Sequence, residues 1–185
     1  KYWSKFTPLI FPEEEIFLDI NYMGVSTGKI AVSTKGKSKI GDQDVFHLKC
    51  QVKTAKFYRY LYELDDNLDS YVTTDGFIPV KYSLIQRESG QNIDDLQLFD
   101  HKELKTYTFY KRETKKKTKK SKGVKFIPKY FQDPLSVLFF LRGLPMVKGN
   151  KSNNSSSTGN KKRSLIFSTE HTTSNWVISS TALIW

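Results

Sequence analysis

Residues 132–145 read QDPLSVLFFLRGLP, and the rest of the fold turns on whether this apolar run is a membrane anchor, a partner-binding helix or a lid on a β-rich core. Crossing a bilayer takes roughly 20 apolar residues, and this run is shorter. Asp133 is a good N-cap, Pro134 suits the first helical position, and Gly143 and Pro145 end the apolar stretch. A helix over Pro134–Leu144 spans about three turns, roughly 15 Å. The segment is therefore expected to be a short globular helix lying on something else.

What surrounds it reads as strands. Ile16, Leu18, Ile20 and Tyr22 alternate with Phe17, Asp19 and Asn21, which is the period of a half-buried strand. A second strand follows at Lys29–Lys35 and a third at Val45–Thr54, where Phe46, Leu48, Cys50 and Val52 share one face. Ala55–Leu64 is ambiguous, and the spacing of Phe57, Leu61 and Leu64 favours a short helix. Further strands are expected at Asp69–Thr74, Phe77–Glu88, Asn92–Asp100 and Leu104–Arg112, joined by Asp75-Gly76, Ser89-Gly90 and Asp100–Glu103. Connections this short force antiparallel neighbours. The expected fold is mainly β: a strongly curved antiparallel sheet or barrel-like meander, with one or two short helices packed on it or capping it.

The chain has 185 residues and a formal net charge of +11, with 38% hydrophobic and 14% aromatic content, enough for a single buried core. The charge is local. Lys111–Lys125 holds nine Lys or Arg and one Glu, a net +8, and is expected to be an elongated basic hairpin loop between a strand ending near Arg112 and a short one at Val124–Ile127. Residues 1–149 are expected to form the β-rich domain, 150–164 a Ser/Asn/Lys-rich flexible loop or linker, and 165–185 one or two C-terminal strands. The first residues do not have the form of a signal peptide. As the chain does not begin with Met, it is expected to be a trimmed or mature form.

Few residues invite chemistry. His47, His101 and His171 are scattered, and none stands in a ligand spacing with Cys50 or with another histidine. Cys50 lies on an apolar strand face, which predicts an inert core thiol. The series Glu63, Asp65, Asp66 and Asp69 lacks the Gly turn and terminal Glu of an EF-hand loop and reads as turn and cap chemistry. Neither a phosphate-cradling Gly-rich loop nor a nucleophile elbow occurs. No catalytic residue, metal site or cofactor is expected. A hydrolase would need His47 or His101 beside an acid in a polar cleft.

The basic segment has a plain reading, a solvated insertion that opposes aggregation. Its sharper reading is contact with an anionic surface through Lys115, Lys116, Lys117, Lys119, Lys120 and Lys122, at about 1 kcal/mol per Lys near a charged membrane. The charge would suit nucleic acid too, but the segment lacks the interleaved aromatics that stack bases. Arg142, set in an apolar helix, is expected to form a structural ion pair with an acid such as Asp69 or Asp100, or else to grip an anionic ligand.

Read in order, several motifs resemble a bacterial family catalogued as domain of unknown function 3108, whose members are exported to the Gram-negative cell envelope. They are Glu15 with Gly24-Val25-Ser26-Thr27-Gly28, Lys53-Thr54, Asp65-Asp66 with Asp69-Ser70-Tyr71, Gly76-Phe77-Ile78-Pro79, Arg87-Glu88, Phe99-Asp100, and Asp133-Pro134-Leu135-Ser136 with Leu141-Arg142 and Leu144-Pro145. The resemblance covers about residues 11–149 and lapses beyond Gly149, suggesting a truncated or divergent C-terminus. It implies an exported β-rich domain in the periplasm or outer envelope, and no particular activity. Together with the residues it leads to two expectations. One is a non-catalytic envelope protein holding a lipidic or other apolar ligand within the curved sheet, near Leu138, Phe139, Leu141 and Arg142. The other is a scaffold with a packed interior that docks to a partner or an anionic surface, such as a membrane or an acidic envelope polymer, through its basic segment.

Overall fold

The computed structural model describes residues 10–143 and, as backbone strands, 151–158, 161–172 and 175–184. Eight strands follow one another as an antiparallel meander: β1 (Glu15–Tyr22), β2 (Val25–Ile40), β3 (Gln43–Thr54), β4 (Leu64–Thr73), β5 (Pro79–Glu88), β6 (Gln91–Asp100), β7 (Lys105–Thr114) and β8 (Thr118–Phe126). Each pairs with the next, and the order ends at β1 and β8. The sheet is curved and open rather than a closed barrel.

One face carries the core. Val32, Leu48, Cys50 and Val72 are buried with Phe77 against Leu135, Phe139 and Phe140 of the helix segment. A second cluster joins Tyr82, Leu84 and Phe99 to Ile127 and Phe131. Helix α1 (Ser136–Arg142) therefore lies on the sheet, as its apolar sequence requires. Asp133 starts it: its Oδ1 accepts the Leu135 and Ser136 backbone N–H groups at 2.8 Å each, while the Val137 N–H donates to its carbonyl. Its Oδ2 accepts the Ser70 hydroxyl at 2.5 Å, which ties the helix start to β4. Burial raises the Asp133 carboxyl above its ordinary range despite these bonds.

Several expectations need correction. Ala55–Leu64 contains only a single 3₁₀ turn, Lys56–Tyr58, because Leu64 already pairs with Glu88 as the first residue of β4. Asp65, Asp66 and Asp69 thus stand on a strand rather than in a turn. Asp65 and Asp69 point to one face, next to Lys53 and His47. Asp66 points to the other, where it accepts from Gln86 and the Arg87 backbone. The basic segment is not a loop either: β7 and β8 run through it with register Lys105↔Phe126 to Glu113↔Thr118. Alternating Thr, Tyr and Phe in β7 support that pairing, and only residues 115–117 form the turn.

In place of a flexible 150–164 segment, β9 (Lys151–Thr158) pairs antiparallel with β10 (Lys161–Thr172), which pairs with β11 (Asn175–Ile184). The polar run has a neighbour richer in strand-forming residues on which to pair, and composition alone does not register this. The strands expected within 165–185 are present as most of β10 and β11.

Candidate functional site

The register divides the sheet's side chains into two sets. Leu48, Ser70, Tyr82 and Gln97 share the helix-covered face through successive pairings. The opposite set on β5–β8 contains Lys81, Ser83, Ile85 and Arg87, then Asp94, Leu96 and Leu98, then Tyr107, Phe109 and Lys111, then Lys120, Lys122 and Val124. A groove of about 600 Å³ lies over this second set. Ile85, Leu96 and Phe109 supply its apolar part, and Lys81, Lys120 and Lys122 stand around them.

The charges are arranged unusually. Lys111 lies directly opposite Lys120, and Arg112 opposite Lys119. Like charges in cross-strand pairs are destabilising. Some of the local positive charge is compensated: Arg87 bonds Asp94 at 2.7 Å and Lys111 bonds Glu113 at 2.8 Å. Among the described residues no acid pairs with Lys81, Lys120 or Lys122. Lys122 lies 5.7 Å from the centre of the Phe109 ring, and Lys81 lies 5.2 Å from that of Tyr71. Lys120 and Lys122 thus border an apolar floor without an ion-pair partner among the described residues, while the charge of Lys81 also acts on Asp69.

The helix residues expected near a ligand, Leu138, Phe139, Leu141 and Arg142, are not gathered around an open space. Phe139 and Leu141 are buried, and the space beneath the helix is occupied by Leu48, Cys50, Val72 and Phe77. Leu138 is 48% exposed on the outer side of the helix, because it is one residue out of phase with the packed positions. Arg142 makes a two-pronged ion pair with Glu14, at 2.7 and 3.0 Å, and its guanidinium lies 5.8 and 5.7 Å from the Phe11 and Phe139 rings. The structural ion pair is thus present, but its partner is Glu14 rather than Asp69 or Asp100. Glu14 stands just before β1, and nothing local in sequence brings it to residue 142.

Of the basic residues named from sequence, Lys120 and Lys122 line the groove, Lys119 faces the other side of β8, and Lys115, Lys116 and Lys117 cap the β7–β8 turn. Lys81 and Ile85 were missed. Their signal was the alternation within β5, which places them beside the basic hairpin once β6 and β7 are threaded between.

His47 does have an acid beside it. Its Nε2 is 2.7 Å from Asp69 Oδ1, and its ring stacks on Tyr71 at 4.4 Å. The contact holds the Asp69 carboxyl below the ordinary carboxylate range. A hydrolytic dyad needs a nucleophile on the other ring nitrogen. Ser83 stands across from Asp69 rather than His47, and Cys50 is buried on the opposite face, where burial pushes its thiol up. His101 is half-buried and donates from Nε2 to the Pro79 carbonyl at 2.7 Å, and burial lowers its pKa. The arrangement offers an acid–base pair with no nucleophile aligned to it among the described residues.

Fold and site together define a curved open meander with a helix on one face and a cationic, partly apolar groove on the other. A family model described as a protein of unknown function, DUF3108, matches residues 18–176, and the chain belongs to that family. The match continues past Gly149 into the C-terminal strands, so the family's pattern extends further along the chain than the motifs read from sequence. No curated protein and no solved structure matches the chain.

Proposed function

We propose that this chain is a non-catalytic protein of the Gram-negative cell envelope that binds an anionic amphiphile in the β5–β8 groove. One observation carries the reading: Lys81, Lys120 and Lys122 surround the apolar patch of Ile85, Leu96 and Phe109, in a hairpin that sets Lys111 against Lys120. An anionic headgroup relieves that repulsion, and an attached hydrocarbon covers the exposed apolar floor. The volume of about 600 Å³ falls within the usual range of small-molecule sites, about 300–1,000 Å³. Because the cluster beneath the helix is packed, this reading takes the open face of the sheet, rather than its interior, for the ligand. The envelope location rests on the resemblance to exported proteins.

Titration calorimetry with a short-chain phosphatidylglycerol below its micelle concentration tests this. Saturable binding is expected, weakened about tenfold or more in a Lys120→Ser/Lys122→Ser variant, with a short-chain phosphatidylcholine binding much less. Equal binding of the two lipids, or an unaffected double variant, would overturn the reading.

A further inference from the structure

One row of paired residues crosses the whole sheet: Asp19, Lys29, Lys53, Asp65, Arg87, Asn92, Glu113 and Thr118. Everything beyond that row on one side, residues 20–28, 54–64, 88–91 and 114–117, forms a single rim. The sequence scatters these four segments, and the meander gathers them.

The rim has an unusual composition. Phe57 is 72% exposed, Tyr60 74%, Leu61 66% and Met23 86%, and Tyr22, Val25 and Tyr62 are exposed beside them. Its cations are Lys56, Arg59, Lys115, Lys116 and Lys117, against the two acids Glu63 and Glu88. Tyr62 donates to Glu88, which occupies one of those acids. The aromatic loop joining β3 to β4 and the lysine turn joining β7 to β8 are four interstrand spacings apart, roughly 19 Å measured along the sheet.

The opposite end differs in the charge of its turns. Its turns carry Asp42, Asp75 and Glu103 against Lys102, and Phe77 of the β4–β5 turn is fully buried, although Phe11, Phe126 and Tyr130 are exposed at the outer strands β1 and β8 of that end. Only the rim joins exposed aromatics within its connecting segments to a net positive charge in those same segments. One of the two two-residue turns there is Met23-Gly24, with φ of 50° and 80°. A Met in the left-handed region is strained where Asn or Gly would be relaxed, and its side chain has no packing role that would account for it.

We infer that this rim is a docking surface for an anionic lipid bilayer. Phe57, Tyr60, Leu61 and Met23 enter the interfacial layer, while Lys56, Arg59 and Lys115–Lys117 meet the headgroup charge. Both halves of that chemistry are what an anionic interface selects: aromatic rings settle at the headgroup level, and each nearby Lys or Arg adds attraction that salt screens. The inference goes beyond the groove reading and shares with it only the negative charge of the lipid, since the groove takes one molecule and the rim takes a surface.

The test uses the full chain and vesicles of phosphatidylglycerol mixed with phosphatidylcholine. Co-sedimentation is expected with these vesicles, is lost in high salt, and weakens about tenfold or more in Phe57→Ser/Tyr60→Ser/Leu61→Ser and again in Lys115→Ser/Lys116→Ser/Lys117→Ser. All six residues are exposed, and unchanged circular dichroism verifies that the variants fold. Because Cys50 is buried, a Leu61→Cys variant can be labelled selectively with an environment-sensitive fluorophore. Its emission should shift to the blue on vesicles, while the same label at Asp75→Cys, on the opposite end, should not. An equal shift at both ends, or vesicle binding indifferent to both rim variants, would overturn the inference. If Lys120→Ser/Lys122→Ser alone abolished sedimentation, the rim would fail and the groove would stand. If both rim variants lost vesicles but kept the soluble short-chain lipid, the rim and the groove would be established as separate sites.

Discussion

Replacing Asp133 with Ala should be among the most damaging single changes in this chain. Its Oδ1 satisfies two backbone N–H groups at the helix start, and its Oδ2 takes the hydroxyl of the fully buried Ser70. Losing the cap costs about 1 kcal/mol and up to about 2. Leaving the Ser70 hydroxyl buried without its acceptor costs about 1–3 kcal/mol more. Removing a carboxyl whose burial disfavours ionisation returns part of this, so a net loss of about 3 kcal/mol is expected. For a domain of this length that is a drop in Tm of about 6–12 °C.

Urea denaturation of Asp133→Ala and Asp133→Asn measures it. Asn keeps the cap through its carbonyl oxygen, and its amide can donate to the Ser70 hydroxyl, so it should lose about 1 kcal/mol or less. The pH dependence has a definite sign. Because the folded carboxyl is raised above its ordinary 3.8, its contribution is complete below that value and is lost as pH rises through the folded pKa. The Asn variant should therefore gain on the native protein as pH rises. An Ala variant within about 0.5 kcal/mol of the native chain, or an Asn variant as damaged as Ala, would refute the cap.

Three other outcomes follow from the same geometry. Arg142→Lys keeps the charge but loses the two-pronged grip on Glu14 and the contact with Phe11 and Phe139, and should cost about 1–2 kcal/mol in urea melts. His101 has a lowered folded pKa, so the stability it confers is present above about pH 6.5 and lost as pH falls through the folded value. Between pH 7 and 5 the native protein should weaken more steeply than His101→Gln, as followed by thermal melts. Cys50, buried with its pKa raised, should react with a thiol reagent only at the rate of unfolding, and fast native labelling would contradict its place in the core.

The meander was legible because hairpin signals such as Asp75-Gly76 and Ser89-Gly90 leave antiparallel pairing as the only option, and Asp133-Pro134 with Gly143 bracketed the helix. The mistakes share one cause, which is that side-chain identity outweighed partner availability. Lys and Thr between 111 and 125 look like a solvated loop, yet Tyr107, Phe109 and a tight turn at 115–117 draw them into a ladder. The aromatics of residues 57–62 have helical spacing, but the strand starting at Leu64 leaves room only for a single 3₁₀ turn. The candidate site was half visible: Lys120 and Lys122 were named from their own segment, whereas Lys81 and Ile85 join them only across three strands. The Glu14 partner of Arg142 was beyond reach, since 128 residues separate the two.

The groove itself is tested most directly by solution NMR of the isotopically labelled chain titrated with short-chain phosphatidylglycerol. The account expects saturable shifts concentrated at Ile85, Leu96, Phe109, Lys120 and Lys122, absent with the zwitterionic lipid. Shifts clustered instead around Leu135, Phe139 and Val72, beneath the helix, or no saturable shift at all, would contradict it.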